Sequence, residues 1–170
     1  FARAGLPIPR TVVTRDAGRA REFVRAVHAA GGACIAKPVD GGAPTMAADL
    51  AFIDAHARDI ADAPVIWQER QRGDDVRVTV VDGRMVSAVV VEGGETVDVR
   101  DDVRGYREIA LDAALADVCV RAVRACGLVV AGVDLKGGAL LEVNSAPGFL
   151  AIERATGAPI ADAIVAAASC

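Results

Sequence analysis

Two apolar, β-branched runs, Val76–Val81 and Arg84–Val91, meet across Asp82-Gly83. Both central positions of a two-residue hairpin turn need positive φ. Aspartate tolerates that region and glycine adopts it freely, so this dipeptide between strand-like runs is the strongest short-range signal for an antiparallel pair. A second hairpin is expected where Leu128–Leu135 and Ala139–Val143 face each other across Lys136-Gly137-Gly138. Between the hairpins, Leu115, Val118, Cys119, Ala122 and Val123 recur at helical spacing from Asp112 to Cys126, and Gly127 closes that helix. This half of the chain therefore mixes antiparallel strands with a helix that covers them.

The N-terminal half alternates in the same way. A helical start through Ala4 is capped by Gly5, and Arg10–Thr14 reads as a short strand. Asp16 then caps a helix whose apolar stripe is Ala20, Phe23, Val24 and Val27, ended by Gly31-Gly32. Cys34-Ile35-Ala36 leads into Lys37-Pro38 at the end of a buried strand, and the Gly- and Pro-bearing segment from Asp40 to Pro44 is a turn. Residues 47–59 read as helix and Val65–Gln68 as strand, and residues 71–75 link to a second lobe. Residues 93–105, charged and Gly-bearing, read as a loop that extends one strand in part, and two short helices begin near Gly148 and Pro159. No GxGxxG or GxxxxGK[ST] loop is present, so Rossmann and P-loop binding are not supported. The expected class is α+β in two lobes, residues 1–70 and 71–170.

Composition narrows the function classes. A chain of 170 residues, 53% hydrophobic, can bury a substantial core. Nineteen basic against 23 acidic residues, without a dense basic run, leave no basis for a nucleic-acid partner. No apolar run reaches the roughly 20 residues of a membrane helix, so no membrane partner is expected. Cys34, Cys119, Cys126 and Cys170 form no CxxC pair, which fits mostly buried thiols in a reducing cytoplasm. His28 and His56 lie on helical surfaces with no carboxylate, Ser or Cys partner in a recognisable arrangement, so neither is a candidate catalytic base.

Chemistry concentrates in the last hairpin. Asp134 lies on one strand, and Glu142 and Asn144, two apart on the other, point to one face. Hard oxygen donors in such a set suit Mg2+, which takes few protein ligands and completes its octahedron with water and phosphate oxygens. Taken alone, a Glu-x-Asn on a strand is far more often the solvent face of a hairpin than a ligand pair. Lys37 and Lys136 are the only lysines among the 19 basic residues, which makes the choice of lysine at the strand end notable. Asp75 and Arg77, also two apart on a strand, read either as an ion pair or as part of a site.

The text around these residues resembles the RimK-like ATP-grasp catalytic domain. Glu142-Val143-Asn144-Ser145-Ala146-Pro147-Gly148, then Ile152-Glu153, Thr156-Gly157 and Ile160-Ala161, is similar to that domain's end. Ala4–Thr11, Lys37-Pro38, Gln68-Glu69, Gly73–Val78, Val81-Asp82-Gly83 and Ala131–Asp134 match earlier motifs in order, so the resemblance covers nearly the whole chain. It implies the ATP-grasp fold with nucleotide held between two lobes, ATP with Mg2+ (or Mn2+) as cofactors, and Asp134, Glu142 and Asn144 as metal ligands. It further implies that Lys37 reaches the α- and β-phosphates and that adenine lies against Gln68, Glu69 and Arg70. Asp75 would accept the ribose hydroxyls, and Arg77 would meet the transferring phosphoryl group. Arg100 stands where relatives carry an Arg-Ser-Asn segment, although Asp101 and Asp102 replace the neutral residues. Arg104 is either an acceptor-carboxylate clamp or a solvated charge, and Glu153 either buttresses an arginine or solvates its helix.

The implied reaction is ATP-dependent ligation of a carboxylate to an amine, through an acyl phosphate and with ADP formed. The partners would be a small-molecule or peptide carboxylate and an amine such as glutamate, and a homo-oligomer is compatible with the sequence. Two alternatives stay open: a catalytically inactive nucleotide-binding module and an ATP-grasp kinase. The glycine-rich lid, residues 40–46, is short and contains Pro44, the Asp134–Glu142 link is shorter than in many relatives, and the family's N-terminal α/β domain is expected to be missing.

Overall fold

The computed structural model describes residues 1–39, 43–93 and 102–169. Its contacts divide the chain into two compact units, one over residues 9–71 and one combining residues 1–8 with residues 72–93 and 102–169. Each joins an antiparallel sheet to helices, which gives the expected α+β class.

The unit over residues 9–71 carries a four-stranded sheet in the order β1-β4-β2-β3, with β1 Thr11–Thr14, β2 Cys34–Pro38, β3 Met46–Ala48 and β4 Val65–Glu69. Helix α1, Ala17–Ala29, starts where Asp16 Oδ1 accepts the Gly18 and Arg19 N–H groups at 2.7 and 3.1 Å. Its Ala20, Val24 and Val27 pack with Cys34, Ala36, Ile53, Ile60 and Trp67 as the core. The helix expected over residues 47–59 is corrected at its start. Met46–Ala48 pairs antiparallel with β2, and helix α2, Leu50–Ala55, begins only after Asp49, whose Oδ1 accepts the Phe52 N–H at 2.8 Å. At His56 the chain breaks into a separate helix α3, Ala57–Asp62. Asp40, Gly41 and Gly42 of the expected lid lie outside the described residues.

The other unit carries a five-stranded antiparallel sheet in the order β7-β6-β5-β8-β9. Its strands are β5 Asp75–Val81, β6 Arg84–Gly93, β7 Val103–Glu108, β8 Val130–Lys136 and β9 Ala139–Asn144. The first hairpin closes as expected, with Asp82 at φ 48° and Gly83 at φ 68°. Val103–Glu108, whose first three residues fall in the stretch read as loop, is an edge strand paired with β6. One face of the sheet, through Val78, Val80, Ala88, Val133, Leu135 and Leu140, packs on Cys119, Ala122 and Val123 of helix α4, Ala113–Ala125. On the opposite face, Val89 packs with Ile152 of helix α5, Leu150–Thr156, and Ile160 of helix α6, Ile160–Ala168. Residues 1–8 differ from the expected division, which placed them in the first lobe. They group with this unit because Leu6 enters its core and the Leu140 N–H donates to the Pro7 carbonyl at 2.7 Å.

The turn between β8 and β9 is built on glycine for a steric reason. Gly137 has φ 57°, and a Cβ there would lie 2.4 Å from the Arg72 carbonyl oxygen. Gly137→Ala is therefore expected to cost more than about 2 kcal/mol, combining left-handed strain with a backbone clash. Urea unfolding checks this, and an unchanged midpoint contradicts it.

Candidate active site

The sheet face opposite α4 carries the candidate charged residues of β5, β8 and β9. In the β5–β8 ladder Asp75 stands opposite Lys136 and Arg77 opposite Asp134, and in the β8–β9 ladder Asp134 stands opposite Glu142 and Gly132 opposite Asn144. Because directly opposed residues share a face, Asp75, Arg77, Lys136, Asp134, Glu142 and Asn144 form one surface across three strands.

The pairing within that surface was not legible beforehand. Asp75 and Arg77 do not bind each other; each pairs across to β8. Arg77 Nε donates to Asp134 Oδ1 and Nη2 to Oδ2, both at 2.7 Å, with the two side chains only 23% and 26% exposed. These hydrogen bonds push the Arg77 pKa above its ordinary value; burial opposes the rise, and the charges of Asp134, Tyr106 and Glu142 add to it. Asp134 thus holds the guanidinium by one edge, and Nη1 has no partner among the described residues. Lys136 Nζ lies 2.6 Å from Asp75 Oδ2. Tyr106, which follows the stretch read as loop and was assigned to no element, lies on β7 within electrostatic reach of Arg77.

The oxygen donors fit a hard divalent cation. Glu142 is exposed and accepts no hydrogen bond among the described residues. Asn144 Oδ1 accepts the Ala146 N–H at 2.8 Å and keeps a second lone pair, and each Asp134 oxygen keeps one beside its bond to Arg77. Among the described residues no group of three or more His, Cys, Asp or Glu side chains is placed to hold a metal, so a cation here relies on Asn144 as well as the two carboxylates. The segment after Asn144 folds back over β8, where a Cβ on Gly132 would lie 3.0 Å from Pro147 Cβ. A glycine at 132 thus lets the turn carrying Asn144 lie close to the sheet.

Lys37 and Gln68–Arg70 lie in the other unit. Lys37 is half-buried at the end of β2, opposite Ile66, on the face that also carries Ile35 and Gln68 and that turns away from the Trp67 core. Gln68 Nε2 donates to Thr11 Oγ1 at 3.0 Å, and Thr11 Oγ1 donates to the Pro9 carbonyl at 2.9 Å. The hydroxyl has one proton, so this chain fixes the amide orientation and leaves Gln68 Oε1 as a buried acceptor without a partner among the described residues. The Glu69 and Arg70 N–H groups are used within the unit, donating to the Arg10 and Ala33 carbonyls at 2.9 and 2.7 Å. Glu69 stands opposite Cys34, and burial first, then the Glu69 charge, pushes the Cys34 thiol up to about 11. Cys119 is also buried, whereas Cys126 is exposed.

The remaining candidates resolve differently. Arg100 and Cys170 lie outside the described residues. Arg104 is exposed and donates through Nε and Nη2 to Asp102 at 3.2 and 2.6 Å. His56, expected to lack a carboxylate partner, has Asp59 at 3.3 Å on an exposed helical turn. Glu153 has no arginine partner among the described residues and does more than solvate α5: its Oε2 accepts the Ala161 N–H at 2.7 Å, capping α6, whose N-cap position is Pro159. Glu153→Ala is expected to lower stability by about 1 kcal/mol and leave turnover unchanged; a loss of turnover at full stability contradicts the capping role.

Comparison with known proteins gives one family. A sequence model of the RimK-like ATP-grasp domain matches residues 1–168. A protein of Shewanella baltica (strain OS155 / ATCC BAA-1091) named "Probable alpha-L-glutamate ligase 1" is 30% identical over 181 residues, covering 97% of this chain and 59% of that protein. The ATP-grasp ligase PsnB complexed with precursor peptide PsnA2 and AMPPNP superposes with a TM-score of 0.81 at 32% identity, covering 99% of this chain and 56% of that one. PsnB complexed with minimal precursor, Mg and ADP gives 0.80 at 32% identity over the same shares. The chain thus spans somewhat over half the length of these relatives.

Proposed function

The chain belongs to the RimK-like ATP-grasp family, and from that premise we propose that it is the nucleotide-binding and catalytic portion of an ATP-dependent carboxylate–amine ligase. The observation that carries the reading is the Arg77–Asp134 fork beside the opposed carboxylate of Glu142, because it sets a guanidinium with one open edge next to oxygen donors for a divalent cation. In this reading a substrate carboxylate oxygen attacks the γ-phosphorus of ATP and ADP leaves. An amine then attacks the acyl phosphate carbon, the C–N bond forms, inorganic phosphate departs and the amine proton passes to solvent. The protein needs no nucleophile of its own; it positions and neutralises charge.

Each residue has a task in that scheme. Arg77 presents Nη1 to the charge that develops on the transferring phosphoryl oxygens, with Asp134 fixing its plane. Lys37 is a point charge for the α- and β-phosphates. The orphaned Gln68 acceptor suits the exocyclic amine of adenine, with Glu69 and Arg70 beside it, and Asp75 accepts the ribose hydroxyls. Asp134, Glu142 and Asn144 hold Mg2+ or Mn2+, which when bound neutralises phosphate charge. Arg100 belongs with the nucleotide contacts. The partners are a small-molecule or peptide carboxylate and an amine or amino acid, in a cytoplasmic setting; no helix among the described residues is long and apolar enough to cross a membrane.

The test is to incubate the full-length protein with ATP, Mg2+ and pools of carboxylates and amino acids, and to follow ADP and product mass. ADP together with an amide supports the ligase. ADP with a phosphomonoester instead identifies a kinase, and no ADP identifies an inactive nucleotide-binding module.

A further inference from the structure

Two ion pairs lie side by side on the charged sheet face, and they are built differently. Arg77 closes both oxygens of Asp134. Lys136 meets Asp75 through Oδ2 alone, at 2.6 Å, and Oδ1 accepts no hydrogen bond among the described residues. The contrast follows from side-chain chemistry. A guanidinium is a planar fork that matches a carboxylate in two bonds, whereas an ammonium is a compact charge that takes one oxygen. In a chain with only two lysines among 19 basic residues, the second stands on this face against a carboxylate that it leaves half open.

We propose that Lys136 is a positioning and specificity-determining residue for the nucleotide sugar, holding Asp75 by one oxygen so that the other stays available to a ribose diol. The inference rests on the reading of Asp75 as the ribose acceptor.

Lys136 is well placed for this. It is the last residue of β8, directly opposite Asp75, and the following Gly137 is locked against the Arg72 carbonyl, so its backbone is set by both the ladder and the turn. The two side chains are 22% and 26% exposed, which strengthens a charge-assisted contact relative to a surface pair. Lys136 also keeps the face ordered. Asp75 lies two residues from Arg77 on the same side of β5, and an unpaired Asp75 competes with Asp134 for the guanidinium. With Lys136 in place the four charges sort into two pairs, and Arg77 stays on Asp134.

The decisive variant is the conservative one. Lys136→Arg keeps the charge and the ion pair but takes both Asp75 oxygens, so it retains stability and loses sugar recognition. Calorimetric binding of ADP and of 2′,3′-dideoxy-ADP to the full-length protein reads this directly. The wild type is expected to favour ADP about tenfold, the worth of one good hydrogen bond, and both Lys136→Arg and Lys136→Gln to reduce the preference to about twofold. Lys136→Arg binding with the wild-type preference overturns the proposal while leaving Asp75 as ribose acceptor. Equal weakening toward both nucleotides also overturns it, because that marks a phosphate contact. A wild type and an Asp75→Asn variant that both lack the preference overturn the ribose reading itself, and the proposal with it.

Discussion

Replacing Arg77 with methionine is expected to lower turnover by about 10²–10³-fold, the range for one preorganised donor to a developing oxyanion, and to destabilise the fold at the same time. The second effect follows from the pairing. Methionine fills much of the arginine stem's volume but leaves Asp134 with two unpaired oxygens in a site only a quarter exposed. Breaking a fully buried pair costs about 3–5 kcal/mol, and partial exposure here reduces that to about 2 kcal/mol. Arg77→Lys separates the two effects. It restores a positive charge to Asp134 and recovers most of the stability, yet cannot hold Asp134 with two bonds while presenting a third donor edge, so turnover stays low. Turnover that recovers fully in Arg77→Lys contradicts the role given to the fork.

What was legible in the sequence was local chemistry. Asp82-Gly83 specified its hairpin because positive φ at both positions leaves few residue choices, and Asp16 announced α1 because a short acceptor satisfies N–H groups that otherwise have none. The failures share a cause too. Met46–Ala48 is a three-residue strand that exists only because β2 pairs with it; the signal that excluded helix there was Asp49, a cap two residues inside the expected start of the element. Val103–Glu108 lies at the sheet edge, where polar residues are tolerated on both sides, so alternation is weak. At the site, the oxygen donors of the last hairpin were visible because they lie eight to ten residues apart across a short turn. The partners of Arg77 and Asp75 lie 57 and 61 residues away, and only the β5–β8 register, a long-range property, selects Asp134 and Lys136 over the nearer charges.

The same register changes how the metal ligands are best tested. Removing both carboxylates, Asp134→Asn with Glu142→Gln, is expected to abolish Mg2+-dependent ATP turnover, but the fold is not left untouched. An asparagine at 134 places an amide nitrogen against Arg77 and breaks one of two bonds at 2.7 Å, so the double variant loses stability and misplaces a second functional group. Glu142→Gln alone avoids this. Glu142 is exposed, accepts no hydrogen bond among the described residues and lies opposite Asp134 without sharing its bonds to Arg77, so its amide costs well under about 1 kcal/mol of stability. Its loss removes the carboxylate with the most open lone pairs, and divalent affinity is expected to fall by at least about 100-fold. Mn2+ binding followed by electron paramagnetic resonance in the presence of ADP measures this independently of catalysis, with the urea midpoint as control. Wild-type Mn2+ affinity in Glu142→Gln would remove Glu142 from the metal set and leave Asp134 explained by its hold on Arg77 alone.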